Sequence, residues 1–81
     1  MTVTILLFAS VADAAGTRRL ELPLSGGERV GQVRDRLFER YPALVRFGPT
    51  LMYALDEEYA TIESPVHDGA VLALIPPVSG G

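Results

Sequence analysis

The sequence predicts a single α+β domain in which five β-strands form a mixed sheet and one main helix packs on one face of it. Apolar residues recur at helical spacing in one stretch of the chain, whereas alternating or continuous apolar runs of strand length occur in five others. A chain of 81 residues has room for one hydrophobic core. Since domains of this size seldom also enclose a substrate pocket, the length favours a binding or carrier role over an enzyme with its own active site.

The N-terminal part of the chain predicts a β-hairpin. Apolar side chains fill both faces of a first strand at residues 2–9, which is rich in β-branched residues. Residues 10–16 are expected to form a short turn-like connection that a glycine closes. Leucines alternate with polar residues over residues 19–24, and Pro23 places this second strand near a sheet edge because proline cannot donate to a ladder.

The main helix is predicted to begin at Val30 and to end before Pro42. Apolar residues in this stretch follow helical spacing, and the residue before a proline avoids the α conformation. Residues 43–49 are expected to be irregular. Three more strands are predicted at residues 51–55, 59–62 and 71–75, with turns at residues 56–58 and 65–69 between them. The resulting order is β-β-α-β-β-β.

The first and last predicted strands are apolar on both faces, which favours central, parallel neighbours in the sheet. A single helix covers only one face. The side chains expected to face the helix are Val3, Ile5, Leu7, Leu72 and Leu74. Alternation sends Phe8, Val71, Ala73 and Ile75 to the opposite face. An exposed apolar patch of this kind is usually a binding surface, unless an edge turn or the C-terminal tail folds over it.

Composition argues against several classes of function. The chain has no cysteine, so it has no disulfide, thiolate metal site or cysteine nucleophile. A net charge of −3 argues against nucleic acid or an anionic membrane as partner. The first nine residues lack a basic start and form too short an apolar run for a signal peptide or membrane span, so we expect a cytoplasmic protein. The only histidine, His67, is expected to lie in a surface turn, and no metal site is predicted.

The C-terminal segment carries the predicted chemistry. We expect a domain at residues 1–78 and a flexible, protruding tail at residues 79–81. Pro76 and Pro77 favour an extended chain. After Val78 and Ser79, the glycines Gly80 and Gly81 have no Cβ, so they can pass through a narrow channel and bring the terminal carboxylate to a buried active site. Once activated as a mixed anhydride, that carboxylate gives a thiocarboxylate with sulfide and a conjugate with an amine.

Three motifs together resemble a known family. They are Leu-Phe-Ala-Ser-Val at residues 7–11 with Gly16-Thr17, Asp68-Gly69 before the last strand, and Ala-Leu-Ile-Pro-Pro-Val-Ser-Gly-Gly at residues 73–81. Across nearly its whole length the chain resembles the small subunit of molybdopterin synthase, a sulfur carrier with the ubiquitin-like β-grasp fold.

The resemblance implies a sulfur-donating subunit without catalytic groups of its own. Gly81 would be adenylated by a ubiquitin-activating-like adenylyltransferase that uses ATP, then converted to 1-thioglycine with sulfur from a persulfide donor. The tail would enter the large subunit of the synthase, within a heterotetramer, and give its sulfur to cyclic pyranopterin monophosphate. No cofactor would be bound permanently. The resemblance also implies partner contacts at Phe8, Tyr59 and Ile75, with Val71 and Ala73 on the same apolar face.

Some positions depart from the family pattern, and other functions remain open. The chain has Ala54-Leu55-Asp56 where Ala-Val-Asn is common, Ala70 where an acid is common, and Arg29 where a capping Ser or Thr is usual. One alternative keeps the thiocarboxylate but changes the acceptor to thiamine thiazole, tRNA, a cysteine precursor or a protein lysine. Thiazole carriers are typically shorter and lack the Pro-Pro pair. Another alternative is an interaction module whose tail never reacts.

Overall fold

The computed structural model describes residues 1–77 of the chain. The predicted tail residues Val78, Ser79, Gly80 and Gly81, and the boundary between domain and tail, therefore lie outside the described residues. Within residues 1–77, no helix combines the length and the hydropathy that crossing a membrane requires.

Five strands and three helices follow one another along the described part of the chain. They are β1 (Thr2–Leu7), α1 (Ala9–Ala15), β2 (Arg19–Pro23), α2 (Val30–Arg40), a 3₁₀ helix (Pro42–Thr50), β3 (Met52–Leu55), β4 (Glu58–Ala60) and β5 (Val71–Ile75). The strands form one mixed sheet in the order β2-β1-β5-β3-β4. The central strands β1 and β5 are parallel, and the other pairs are antiparallel. The predicted fold class, the five strands and the main helix are confirmed.

The hydrophobic core lies on one face of this sheet. Every second residue of β1 and β5 is buried, and the five side chains predicted to face the helix are between 0% and 2% exposed. The helices supply the other half of the core, since Val30, Val33 and Leu37 of α2 and Leu44 of the 3₁₀ helix are also fully buried. Alternation along the strands therefore sorts the apolar residues between a buried face and an open one.

The prediction of a turn-like connection at residues 10–16 is wrong. These residues belong to the short helix α1, whose Val11 and Ala12 are buried in the core. Gly16 ends the helix with a left-handed φ of 76°, and its N–H donates to the carbonyl of Ala12 at 2.9 Å. Alanine has the highest helix propensity, but seven residues are too few to show a helical period, so packing against the sheet decides the conformation.

Residues 43–49, predicted to be irregular, lie in the 3₁₀ helix, in which each turn is closed by a bond between residues three apart. The fourth strand also ends earlier than predicted, at Ala60, so Ile62 lies beyond it. The carbonyl of Ile62 accepts the N–H of Gly31 at 2.9 Å. A Cβ on Gly31 would lie 3.2 Å from the Cβ of Ile62, so the glycine permits this close approach between the loop and α2.

Arg29 begins α2 without the side-chain acceptor that a Ser or Thr would supply. Its backbone N–H donates to Oε1 of Gln32 at 2.9 Å, and its guanidinium donates to the carbonyl of Glu63 at 2.6 Å. A guanidinium has no acceptor and cannot cap the helix N–H groups itself. At this position the arginine ties the start of α2 to the loop that precedes β5.

Candidate functional site

The face of the sheet opposite the helices carries a group of apolar side chains. We call this surface the open face; its apolar side chains are Leu6, Phe8, Met52, Ala54, Tyr59, Val71, Ala73 and Ile75. The strand register aligns Leu6, Ala73, Ala54 and Tyr59 in one row across four strands. Tyr59 is 81% exposed, and Phe8 and Met52 are 45% and 44% exposed. A row of apolar side chains with exposed aromatic residues at its margins is suited to bury a protein partner.

All five residues predicted to contact partners lie on the open face. Val71, Ala73 and Ile75 are half-buried on β5, between β1 and β3. Tyr59 and Ile75 line one shallow depression of about 260 Å³. Parallel pairing puts Leu7 opposite Leu74, which brings Phe8 and Ile75 to the same end of the sheet. Their role in binding remains a prediction.

The described part of the chain leaves the exposed residues of this face uncovered. An edge turn does not fold over Phe8, Met52 or Tyr59, so that alternative is excluded for these three side chains. The other alternative, in which the tail covers the face, concerns residues outside the described ones. Pro76 is half-buried and Pro77 exposed where the chain leaves β5.

Asp56 has a structural role in the acidic turn between β3 and β4. Its N–H donates to the carbonyl of Val71 and its Oδ1 accepts the N–H of Val71, each at 2.9 Å. Asp56 and Glu57 adopt left-handed φ angles of 50° and 70°, a region that Asp and Asn enter more readily than most residues with a side chain. The hydrogen bond from Val71, followed by that from His67, holds the pKa of the Asp56 carboxyl below its ordinary value.

His67 joins this turn to the loop before β5. Its Nε2 lies 2.6 Å from Oδ2 of Asp56, and its Nδ1 lies 2.8 Å from the carbonyl oxygen of Asp68. Both contacting atoms are acceptors when Asp56 is ionised, so both ring nitrogens must carry a proton to satisfy them. The Asp56 carboxylate, and then the Asp68 carbonyl, raise the pKa of His67. As predicted, His67 lies in an exposed turn. Among residues 1–77, no group of three or more side chains is found that could hold a metal ion.

The Asp68-Gly69 motif ties the last turn to the start of β1. Oδ1 of Asp68 accepts the N–H of Thr2 at 2.9 Å, and the N–H of Gly69 donates to the carbonyl of Thr2 at 2.8 Å. Gly69 has a φ of 81°, which a residue with a side chain rarely adopts. The motif therefore fixes the register of β5 against β1, and with it the origin of the C-terminal segment.

A groove that sequence reasoning missed lies beside the open face. We call it the β1 groove. It has a volume of about 670 Å³ and is lined by Leu6, Leu7, Phe8, Ala9, Ala12, Asp13, Arg18 and Arg19. The groove forms because α1 follows β1 directly and holds its alanines next to the start of β2. Without the prediction of α1, no sequence signal brings these residues together.

Comparison of the sequence with known proteins shows the family of the chain. The model of the ThiS family matches residues 5–81. A curated relative named molybdopterin synthase sulfur carrier subunit, from Arabidopsis thaliana, is 34% identical over 79 residues, which cover 98% of this chain and 82% of the relative.

The small archaeal modifier protein 1 of Haloferax volcanii is similar as well. It is 35% identical over 83 residues, with 93% of this chain and 95% of the relative covered. A crystal structure of that protein matches all of both chains with a TM-score of 0.91 and 31% identity. The fold of this chain is thus the ubiquitin-like β-grasp.

A more distant structure is a complex. It is a protein–protein complex of subunits 1 and 2 of the molybdopterin-converting factor from Helicobacter pylori. The match covers 100% of both chains with a TM-score of 0.71 and 21% identity, and this likeness shows the fold alone.

Proposed function

This chain belongs to the ThiS family, and we propose that it is the sulfur carrier subunit of a molybdopterin synthase. The observation that carries the proposal is the family match over residues 5–81, which includes the terminal Gly80 and Gly81. The name and near full-length similarity of the Arabidopsis relative support the choice of pathway. We place the protein in the cytoplasm, where thiols and ATP are available.

The proposed chemistry takes place at the carboxylate of Gly81. A carboxylate oxygen attacks the α-phosphorus of ATP on the activating enzyme, which gives a glycyl adenylate and pyrophosphate. The terminal sulfur of a persulfide donor then attacks the carbonyl carbon, and AMP leaves. A thiol next cleaves the resulting acyl disulfide, so that the thiocarboxylate is released and the donor sulfur ends in a disulfide. ATP is used by the activating partner, and this chain binds no permanent cofactor.

The chain itself contributes position rather than acid–base catalysis. Its pairing between β1 and β5, secured by the Asp68 and Gly69 contacts to Thr2, fixes where the C-terminal segment leaves the sheet. Asp56 and His67, two titratable groups in the turns beside the sheet, bind each other and the backbone. We therefore assign the catalytic groups to the large subunit, which docks on the open face with Phe8, Tyr59 and Ile75 as contacts.

A reconstituted reaction tests this proposal. The purified chain is incubated with ATP, an adenylating enzyme, a persulfide donor, the large subunit and cyclic pyranopterin monophosphate, and molybdopterin is measured. We expect product from the wild type and none from a chain that lacks Gly81, while both bind the large subunit. Equal product from the two chains would contradict the assigned chemistry. Partner binding without thiocarboxylate formation by the wild type would favour the interaction module.

A second candidate function is protein modification. The Haloferax relative is named a modifier protein, and its 35% identity to this chain is close to the 34% of the Arabidopsis sulfur carrier. In this case the activated Gly81 would form an amide with a lysine of another protein, with loss of AMP or sulfide. An epitope-tagged chain expressed in its own cell would then give larger species that survive denaturant and thiol reductant. Their absence, or their persistence without Gly81, would contradict this second function.

A further inference from the structure

Within residues 1–77, the side chains of five of the seven arginines have a partner and two have none. All basic residues are arginine. Arg29 binds the Glu63 carbonyl, Arg34 contacts Asp35 and Tyr53, Arg36 pairs with Glu28, Arg40 lies over the Tyr41 ring and Arg46 over the Phe47 ring. Within residues 1–77, the side chains of Arg18 and Arg19 make no hydrogen bond, ion pair or ring contact, and both residues are exposed.

These two arginines stand together on the β1 groove. The rest of its lining is apolar apart from Asp13. Arg19 lies opposite Leu6 in the β1–β2 ladder, so its side chain rises on the same face as Leu6. Phe8, 45% exposed, is a further part of the lining. The groove thus joins an aromatic and aliphatic floor to two positive charges that no other side chain in residues 1–77 pairs with.

The groove also lies at the end of the sheet where the C-terminal segment begins. Because β1 and β5 are parallel, Leu7 at the end of β1 pairs with Leu74, next to Ile75 and Pro76. Leu6 and Phe8 belong both to the groove and to the open face. A protein that reaches the chain beyond Pro77 therefore approaches the β1 groove as well.

We propose that the β1 groove binds an acidic segment of the large synthase subunit, with a carboxylate on Arg18 and Arg19 and a neighbouring apolar side chain on Leu6 and Phe8. This inference rests on the proposed function. A guanidinium binds a carboxylate through two parallel hydrogen bonds, and arginine and aromatic residues are enriched in interface cores.

The net charge of the whole chain also affects which partner surfaces can bind. At a net charge of −3, this chain repels an acidic surface in general, so the local pair Arg18 and Arg19 gives such a surface one favourable orientation. The same net charge disfavours a nucleic acid as the occupant. The groove would therefore set the register of docking, while the open face supplies apolar area.

A charge reversal with a matched control tests the proposal. The variant Arg18→Glu/Arg19→Glu and the control Arg40→Glu/Arg46→Glu alter the net charge equally, and the control residues lie on the helical layer and do not line the groove. Affinity for the purified large subunit is measured at low salt and at about 0.5 M salt, where charges are screened within a few ångströms. Circular dichroism and urea unfolding establish that each variant is folded.

We expect the groove variant to bind about tenfold more weakly or worse at low salt, mainly through a slower association, with a smaller difference at high salt. The control should stay within about twofold of the wild type. Arg18→Lys/Arg19→Lys should fall between wild type and reversal, because lysine keeps the charge but not the planar pair of donors. Equal losses in both reversal variants, or no loss in either, would overturn the inference alone. Failure of the wild type to bind the large subunit would overturn the proposed function and the inference with it.

Discussion

At the scale of single residues, His67 and Asp56 show how a surface pair couples distant parts of the chain. The pair links the β3–β4 turn to the loop before β5. Asp56 also forms hydrogen bonds with both the N–H and the carbonyl of Val71, the first residue of β5. Asp56 stands where an Asn is common in the family resembled, and a carboxylate at this position can pair with an imidazolium. The pairing with His67 therefore gives a structural reason for an aspartate at this position.

The His67 pair predicts a pH dependence with a defined sign. Because the pKa of His67 is raised in the folded chain, its contribution to stability is full below the ordinary value of 6.5 and is lost as the pH rises through the folded pKa. The pKa of Asp56 is lowered, so its contribution is full above 3.8 and is lost as the pH falls through its folded pKa. In an NMR titration, His67 should lose its proton above 6.5 in the wild type and at a lower pH in Asp56→Asn.

The control for this titration is Asp35→Asn, which removes a carboxylate that pairs with Arg34 instead. It should leave the His67 titration unchanged. Urea unfolding should show His67→Gln to be less stable than wild type on the acidic side of neutrality, with the difference shrinking as the pH rises. A His67 titration that Asp56→Asn does not move would contradict the pairing.

Residue patterns predicted some of these features and not others. Asp68-Gly69 and the surface position of His67 follow from turn chemistry, which is local. The His67–Asp56 pair joins residues eleven apart across a turn and a loop, and no local pattern brings them together. In the described part of the chain, the five arginines with partners and the two without differ only in tertiary position. Long-range contacts between charged side chains therefore need the structure.

At the scale of elements, β5 best shows how alternation divides an apolar strand. All five of its residues are apolar, but Leu72 and Leu74 are fully buried whereas Val71, Ala73 and Ile75 are half-buried on the open face. The sequence alone predicted this division because the helical spacing of residues 30–41 allowed one covered face. The same reasoning missed α1, since its seven residues make fewer than two helical turns and so show no helical repeat of apolar residues.

Two substitutions in β5 test this division. Leu72→Ala should lower the free energy of unfolding by about 2–5 kcal/mol, because it leaves a cavity in the core. Val71→Ala, its neighbour on the open face, should cost under about 1 kcal/mol. Both values come from urea denaturation at one pH. Similar losses at the two positions would mean that the open face is packed as tightly as the core.

At the scale of the whole molecule, the fold separates stability from recognition. The helices α1 and α2 and the 3₁₀ helix close one face, and the buried side chains of the chain meet there. The open face contributes little to that core and exposes Phe8, Met52 and Tyr59. Changes on the open face should therefore alter partner binding without altering folding, which suits a carrier that meets several enzymes in turn.

Tyr59 provides the clearest test of that separation. Because it is 81% exposed, Tyr59→Ser should change the free energy of unfolding by no more than about 0.5 kcal/mol. Its affinity for the large subunit should fall by about fivefold or more, since exposed aromatic residues are frequent anchors of interfaces. Val45→Ser is the control, because Val45 is 55% exposed on the helical layer. Equal affinities of wild type and Tyr59→Ser would contradict the proposed contact.

The central claim is that Gly81 carries sulfur, and intact mass spectrometry of the chain purified from its own cell tests it most directly. We expect a fraction of the protein to be heavier by the difference between one sulfur and one oxygen atom, with fragmentation locating the change at Gly81. That species should disappear on incubation with the large subunit and cyclic pyranopterin monophosphate. A chain that shows only the plain carboxylate, even after incubation with ATP, an adenylating enzyme and a persulfide donor, would contradict the assignment as a sulfur carrier.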